Sequence, residues 1–287
     1  MNRGLTILVF VFAPLVGLAQ NEELQKSYQQ YQQGQVAEAK EIIDAVYKQY
    51  ADLNDPNALY LKGFIYKDFY KANREKDSTM VIRNESIRVF DQLLSLSPDD
   101  KIKQDAKSSL NFLYNTYYND AIDYLNQERF DLSGKHFDRY CELIGDDVNK
   151  VQQLKKEYLL SKAFKYSSLH KQDSVLNQSH WSGAIDTYKE VLKIDSADTK
   201  ANYNIGVLLY NKAVNLISSL EYGEIDIISI SQIEEQSLDL FKEALPYMLS
   251  VFNKKPDDQG AIKGLAGIYF SLRDFETSDR YRAMLDD

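Results

Sequence analysis

A small residue followed by larger ones four and then three positions later returns along this chain. Ala244, Met248 and Val251 keep that spacing, and Ser278, Arg282 and Leu285 repeat it 34 residues further on. Upstream of the second set lie Leu265, Ala266 and Tyr269. Small residues let two helix backbones approach, and bulky ones at helical spacing fill the gap to the next pair. Ala121 precedes Ser133 by 12 residues, as Ala266 precedes Ser278. A chain built this way buries its apolar faces only by stacking successive helix pairs.

The pattern can be followed through almost the whole sequence. Ser27, Gln30 and Tyr31 pair with Ala39, Ile43 and Val46. Gly63 and Tyr66 pair with Ser86, Phe90, Leu93 and Pro98. Tyr117, Ala121 and Tyr124 precede Phe130, Ser133, Phe137 and Tyr140. Ala163 and Tyr166 precede Trp181, Ala184, Tyr188 and Val191. Ile205, Gly206 and Leu209 precede Ala244, Met248, Val251 and Pro256. Phe275 and Ser278 close the last unit. The pattern resembles the tetratricopeptide repeat (TPR), a helix–turn–helix unit of about 34 residues. That resemblance implies an all-α fold, a right-handed α-solenoid of about six repeats across 20–287. Approximate repeat bounds are 22–55, 56–98, 114–147, 155–197, 199–258 and 259–287.

Three units separate their small residues by more than 12 positions: Gly63 to Ser86, Ala163 to Ala184, and Gly206 to Ala244. The extra residues, 71–79, 169–180 and 214–236, fall at the turn within a unit. Either the two helices run on into a solvated loop, or the turns form a rim that meets a partner. The isoleucine-rich centre of the longest insertion is expected to be a short strand or a loop, partly covered. Pro246 should kink its helix or mark its start. Residues 99–112 should lengthen the next first helix, with Asp99 and Asp100 at its start.

The first 19 residues read as a secretory signal: Arg3, an apolar stretch broken by Pro14, then Gly17-Leu18-Ala19. Cleavage after Ala19 would leave an exported protein without a membrane span, in the periplasm of a Gram-negative bacterium or secreted beyond it. A lipoprotein would need a cysteine at the cleavage point, and the only one is Cys141. One cysteine also precludes an internal disulfide or a cysteine-based zinc cluster. The formal charge of −9, with no basic run, argues against nucleic acid.

The resemblance also implies a concave face lined by first helices, which receives a peptide or helix of another protein. Its inward positions here would be Tyr31, Tyr60, Phe64, Tyr118, Phe164, Tyr203, Tyr210 and Phe270, with Asn57, Asn115 and Lys200 beside them. Tyrosine is abundant, at 21 residues, and suits such a face because it combines contact area with a polar tip. The carboxylate clamp known in some members is not evident, since Lys67 and Lys200 do not form the required cluster. No nucleophile elbow, phosphate loop, dinucleotide fingerprint or paired-histidine metal motif is present, so neither catalysis, a cofactor nor a metal is expected. His170 and His180 read as solvated loop residues, and Cys141 as a small buried side chain. The expectation is a non-enzymatic interaction or scaffold module, monomeric. Glycan binding and self-assembly are the alternatives.

Overall fold

The computed structural model describes residues 18–50, 52–76, 80–145, 147–172, 178–219 and 227–285. The described residues form twelve α-helices, one short 3-10 turn at Arg74–Lys76, and no strand. The helices are α1 (Leu18–Gln32), α2 (Val36–Gln49), α3 (Pro56–Ala72), α4 (Val81–Ser95), α5 (Asp100–Asn126) and α6 (Phe130–Leu143). They continue with α7 (Val148–Gln172), α8 (Gln178–Ile194), α9 (Thr199–Ser218), α10 (Ile227–Lys254), α11 (Gln259–Ser271) and α12 (Phe275–Ala283). The chain divides into two compact units, one ending at Ala121 and the other beginning at Ile122.

The first unit is centred on Leu24, Ala39, Ile43, Ala58, Leu61 and Ile65. The second is centred on Ala163, Ala184, Tyr188, Ile205, Phe241, Ala244, Met248 and Leu265. The small residues at the helix crossings are fully enclosed, and several carry a hydroxyl that is satisfied across the crossing. Ser27 Oγ donates to the Ala39 carbonyl at 2.9 Å, Ser86 Oγ to Gly63 at 3.0 Å, and Ser278 Oγ to Ala266 at 2.8 Å. A buried hydroxyl without such a partner would be costly, so each serine fits only where a partner carbonyl faces it. At Gly63 a Cβ would come within 2.7 Å of the Phe90 ring, which explains the glycine.

Three units with short turns close them the same way. Gly34, Glu128 and Arg273 all take positive φ. The next residue then reaches back five positions: Gln35 N–H to the Gln30 carbonyl, Arg129 to Tyr124, and Asp274 to Tyr269. This is the Schellman closure, which satisfies carbonyls that a helix end leaves open. First helices begin on aspartate. Asp55, Asp99, Asp147, Asp198 and Asp258 each accept from a backbone N–H three residues on, at 2.9–3.1 Å.

The longest insertion continues its helix pair. Gly206 packs at the Met248 level, beside the buried Ala244, while Ser237 Oγ reaches the Ala213 carbonyl at 3.4 Å. Ala213 lies seven residues after Gly206 and Ser237 seven before Ala244, so α9 and α10 run on for two turns in one register. Residues 227–230 are the first turn of α10, which overturns the strand or loop expected there; Ile228 is exposed and Ile230 half-buried. Ile225 lies outside the described residues, as do the first 17 residues of the expected signal. Pro246 does not mark the start of α10 but sits inside it. Buried Ala244, Met248 and Val251 on either side offset the roughly 3 kcal/mol that proline costs in a helix. Residues 100–112 extend α5, with Asp99 Oδ1 accepting from Ile102 N–H at 3.0 Å.

His170 and His180 are not solvated loop residues. They occupy the last turn of α7 and the first turn of α8, partly buried, and the His180 ring lies 5.9 Å from Tyr166. Cys141 is half-buried rather than enclosed, and burial, with Asp138 nearby, pushes its thiol up to about 11.

Candidate partner-binding face

The eight aromatic positions fall four to each unit. In the first unit Tyr31 and Tyr60, and Tyr66 beside them, end on carboxylates of other helices. Tyr31 Oη donates to Asp68 Oδ2 at 2.5 Å, joining α1 to α3. Tyr60 Oη donates to Asp105 Oδ2 at 2.7 Å, joining α3 to α5, and Tyr66 Oη to Asp44 Oδ1 at 2.6 Å. Burial, followed by the neighbouring carboxylate, holds the Tyr31 and Tyr60 phenols above their ordinary range. Phe64 is half-buried, 4.7 Å from Tyr60 and 5.4 Å from Phe90 by ring centroids. Lys67 covers it, with Nζ 3.7 Å from the ring centroid and 3.1 Å from Ser109 Oγ. Burial, then the nearby Lys71 charge, pushes the Lys67 amine down to about 8. Tyr118 is half-buried on α5.

The second unit presents its aromatics differently. Phe164 on α7 is 68% exposed and stands between two depressions of about 550 and 560 Å³. The first is floored by Leu125, Leu160 and Tyr188 and edged by Asn126, Ser161, Lys200 and Asn204. The second adds Ser167, Lys171, Val207, Asn211, Lys212 and Asn215. Tyr203 and Tyr210 are half-buried and lie over a glycine face of α11. A Cβ on Gly260 would come within 2.7 Å of Tyr203 Oη, and one on Gly267 within 2.7 Å of Tyr210 Oη. They edge a third depression, of about 440 Å³, with Lys263 and Arg282 on its rim. Phe270 is 50% exposed, 5.5 Å from Phe275, with the Arg282 guanidinium 5.0 Å from its ring.

Among the described residues no carboxylate lines these three depressions. Of their cations, Lys165 pairs with Glu128 at 3.2 Å, Arg282 lies 3.6 Å from Asp279, and Lys212 Nζ sits 3.7 Å from the Trp181 ring. Burial lowers the Lys212 amine below its ordinary value. Lys171, Lys200 and Lys263 are exposed and have no ion-pair partner among the described residues. Lys200 was expected beside the face. Lys171, Lys263, Asn211 and Asn215 were not, although the recurrence of asparagine on α9 was available as a signal.

Among the described residues no helix is long and apolar enough to cross a membrane, and no group of three His, Cys, Asp or Glu is placed to hold a metal ion. No protein-family model matches the chain, and no curated protein matches it. Solved structures similar to it include a TPR repeats protein from Bacteroides fragilis NCTC 9343, 15% identical, covering 92% of this chain and 98% of that one, TM-score 0.45. Another is the TPR2AB domain of yeast Sti1 in complex with pHSP90, 13% identical, covering 93% and 89%, TM-score 0.27. A third is a monomeric IFIT1 mutant with m7Gppp-AAAA, 13% identical, TM-score 0.38; the match covers 93% of this chain but only 50% of that protein. The repeat spacing and helix-pair packing described above make this chain an all-α, TPR-like array.

Proposed function

We propose that this chain is a non-enzymatic interaction module of the cell envelope, and that the face of its second unit receives an extended segment of another protein. The observation that carries this reading is Phe164: a large aromatic ring, 68% exposed, set between two polar-edged depressions. Exposed aromatics beside concavities are where association free energy concentrates, because one side chain removes much apolar area from water on binding. Tyr203, Tyr210 and Phe270 extend that surface over α9 and α11. The envelope location rests on the signal-like residues 1–19, with the periplasm first and secretion second.

The test is a crosslinking pulldown from an envelope fraction with the chain from Gln20 onward. The reading expects a protein captured by the wild type and lost with Phe164→Ala, at unchanged circular dichroism. Capture by Phe164→Ala and wild type alike would contradict it. Fractionation of the native cells tests location separately: a cytoplasmic protein retaining residues 1–19 would remove the envelope from the proposal.

A further inference from the structure

Lys67, in the first unit, has carboxylates near it and none as an ion-pair partner among the described residues. Its Nζ rests 3.7 Å from the Phe64 ring centroid and donates to Ser109 Oγ at 3.1 Å. The two carboxylates that act on its charge are held by other groups. Asp68 accepts from Tyr31 on one oxygen and pairs with Lys71 on the other at 2.9 Å, and Asp105 accepts from Tyr60. Lys62, on the same helix, is more deeply buried but pairs with Glu85 at 3.0 Å. The Lys67 seat is open on one side. Lys67 and Phe64 are half-buried, Lys71 is exposed, and Phe112, whose ring lies 5.0 Å from the Lys71 amine, is 40% exposed.

A lysine nitrogen attacks an electrophile only as the neutral amine, a form that ordinary lysines scarcely populate at neutral pH. An apolar seat and a second cation nearby both favour that form. Phe64 supplies the first and Lys71 the second, and the amine is pushed down to about 8. We propose that Lys67 is a nucleophilic amine that forms a reversible imine with small neutral aldehydes reaching this face of the first unit. The nitrogen lone pair attacks the carbonyl carbon, the carbonyl π pair moves to oxygen, and a proton passes from nitrogen to that oxygen, giving a carbinolamine. Loss of water then leaves the C=N bond, and nothing is oxidised or reduced. The Ser109 hydroxyl, beside the nitrogen, is placed to carry that proton. The aldehyde is neutral because Asp68 and Asp105 leave negative charge beside the amine, while the adjacent cation, Lys71, is already paired. This site is independent of the partner face proposed for the second unit.

The test incubates the full chain from Gln20 onward with propanal and sodium cyanoborohydride, which reduces an imine to a stable secondary amine. Peptide mapping then locates the labelled lysines. At about pH 7, Lys67 should label about tenfold or more faster than Lys101, Lys103 and Lys107, which are exposed on α5. That advantage should shrink as pH rises from about 7 to about 9.5, because ordinary amines then begin to lose their protons. It should vanish in guanidinium chloride, and should fall at least about threefold when glyoxylate, an anionic aldehyde, replaces propanal. Labelling of Lys67 no faster than the three α5 lysines would mean that the Phe64 ring holds the cation, and would overturn the proposal. So would an advantage that persists in guanidinium chloride, since local sequence and not the fold would then cause it. An advantage as large with glyoxylate would overturn the restriction to neutral aldehydes.

Discussion

In the first unit, Tyr31, Tyr60 and Tyr66 each end on an aspartate of another helix; in the second, Tyr203 and Tyr210 end over glycines. The same residue type therefore serves two ends. A phenol bonded to a carboxylate fixes two helices together, uses up its polar tip, and leaves negative charge on the face. A phenol laid over glycine fills space between helices without bringing a carboxylate with it. The first unit thus uses the tips of Tyr31, Tyr60 and Tyr66 internally, while in the second Phe164 and exposed lysines edge described depressions. Repeats of one architecture differ here in what their tyrosines touch, and that difference separates a locked surface from an open one.

The comparison can be broken at several points. The largest effect is expected from Arg83→Met. The Arg83 side chain is 1% exposed, bonds Asp120 Oδ2 at 2.8 Å and Thr116 Oγ1 at 3.0 Å, and lies 3.4 Å from the Tyr117 ring centroid. Removing it strands a buried carboxylate that Arg74 reaches only from the surface, and should cost about 3 kcal/mol in urea unfolding. A loss under about 1 kcal/mol would show that the first unit is not held by this cluster.

Tyr60→Phe removes one charge-assisted bond and should cost about 1.5 kcal/mol, whereas Tyr203→Phe, in the second unit, should cost under about 0.5 kcal/mol. Equal losses would erase the distinction between the two kinds of tyrosine. Gly260→Ala should destabilise by about 1 kcal/mol, because the displaced Tyr203 ring outweighs the gain from alanine in a helix. In a Tyr203→Ala background the same change should become stabilising. If it does not, the glycine answers to something other than the tyrosine.

The pH dependence from Lys67 probes the same aromatic surface from the side of its charge. Its folded value, about 8, lies below the unfolded value near 10.5, so the unfolded chain binds more protons between them. Stability therefore rises with pH across that window, and the contribution is smallest below pH 8. Lys67→Met should flatten this rise in urea midpoints taken from about pH 7 to about pH 8.5, where the tyrosines of the unfolded chain are still almost wholly protonated. An unchanged slope would mean that the amine is more solvated than its position on Phe64 implies.

The helix pairs were legible because crossing geometry leaves a mark at fixed spacing: Ala121 and Ser133, Ala266 and Ser278. The long α9–α10 pair was harder. Its second crossing, Ala213 against Ser237, lies on the turn side of the insertion, where isoleucines suggested a short strand or a loop. The tyrosine–aspartate bonds were not legible, since their partners are 22, 37 and 45 residues apart and joined only by stacking. Tyr203 and Gly260 could not be matched from sequence for the same reason. The lysines edging the depressions were not gathered, because Lys171, Lys200 and Lys263, on three helices, each look like an ordinary solvated lysine. The buried environment of His180 was missed because α8 begins before it, which puts the ring beside Tyr166 and Phe130.

The central claim is that the second unit, and not the first, presents the open face. A photo-crosslinking residue placed in turn at Phe164 and at Phe112 tests it directly, since both rings are exposed and each belongs to a different unit. The account predicts a discrete adduct with an envelope protein from position 164 and none from position 112. An adduct from position 112 alone, or the same adduct at equal yield from both, would contradict it.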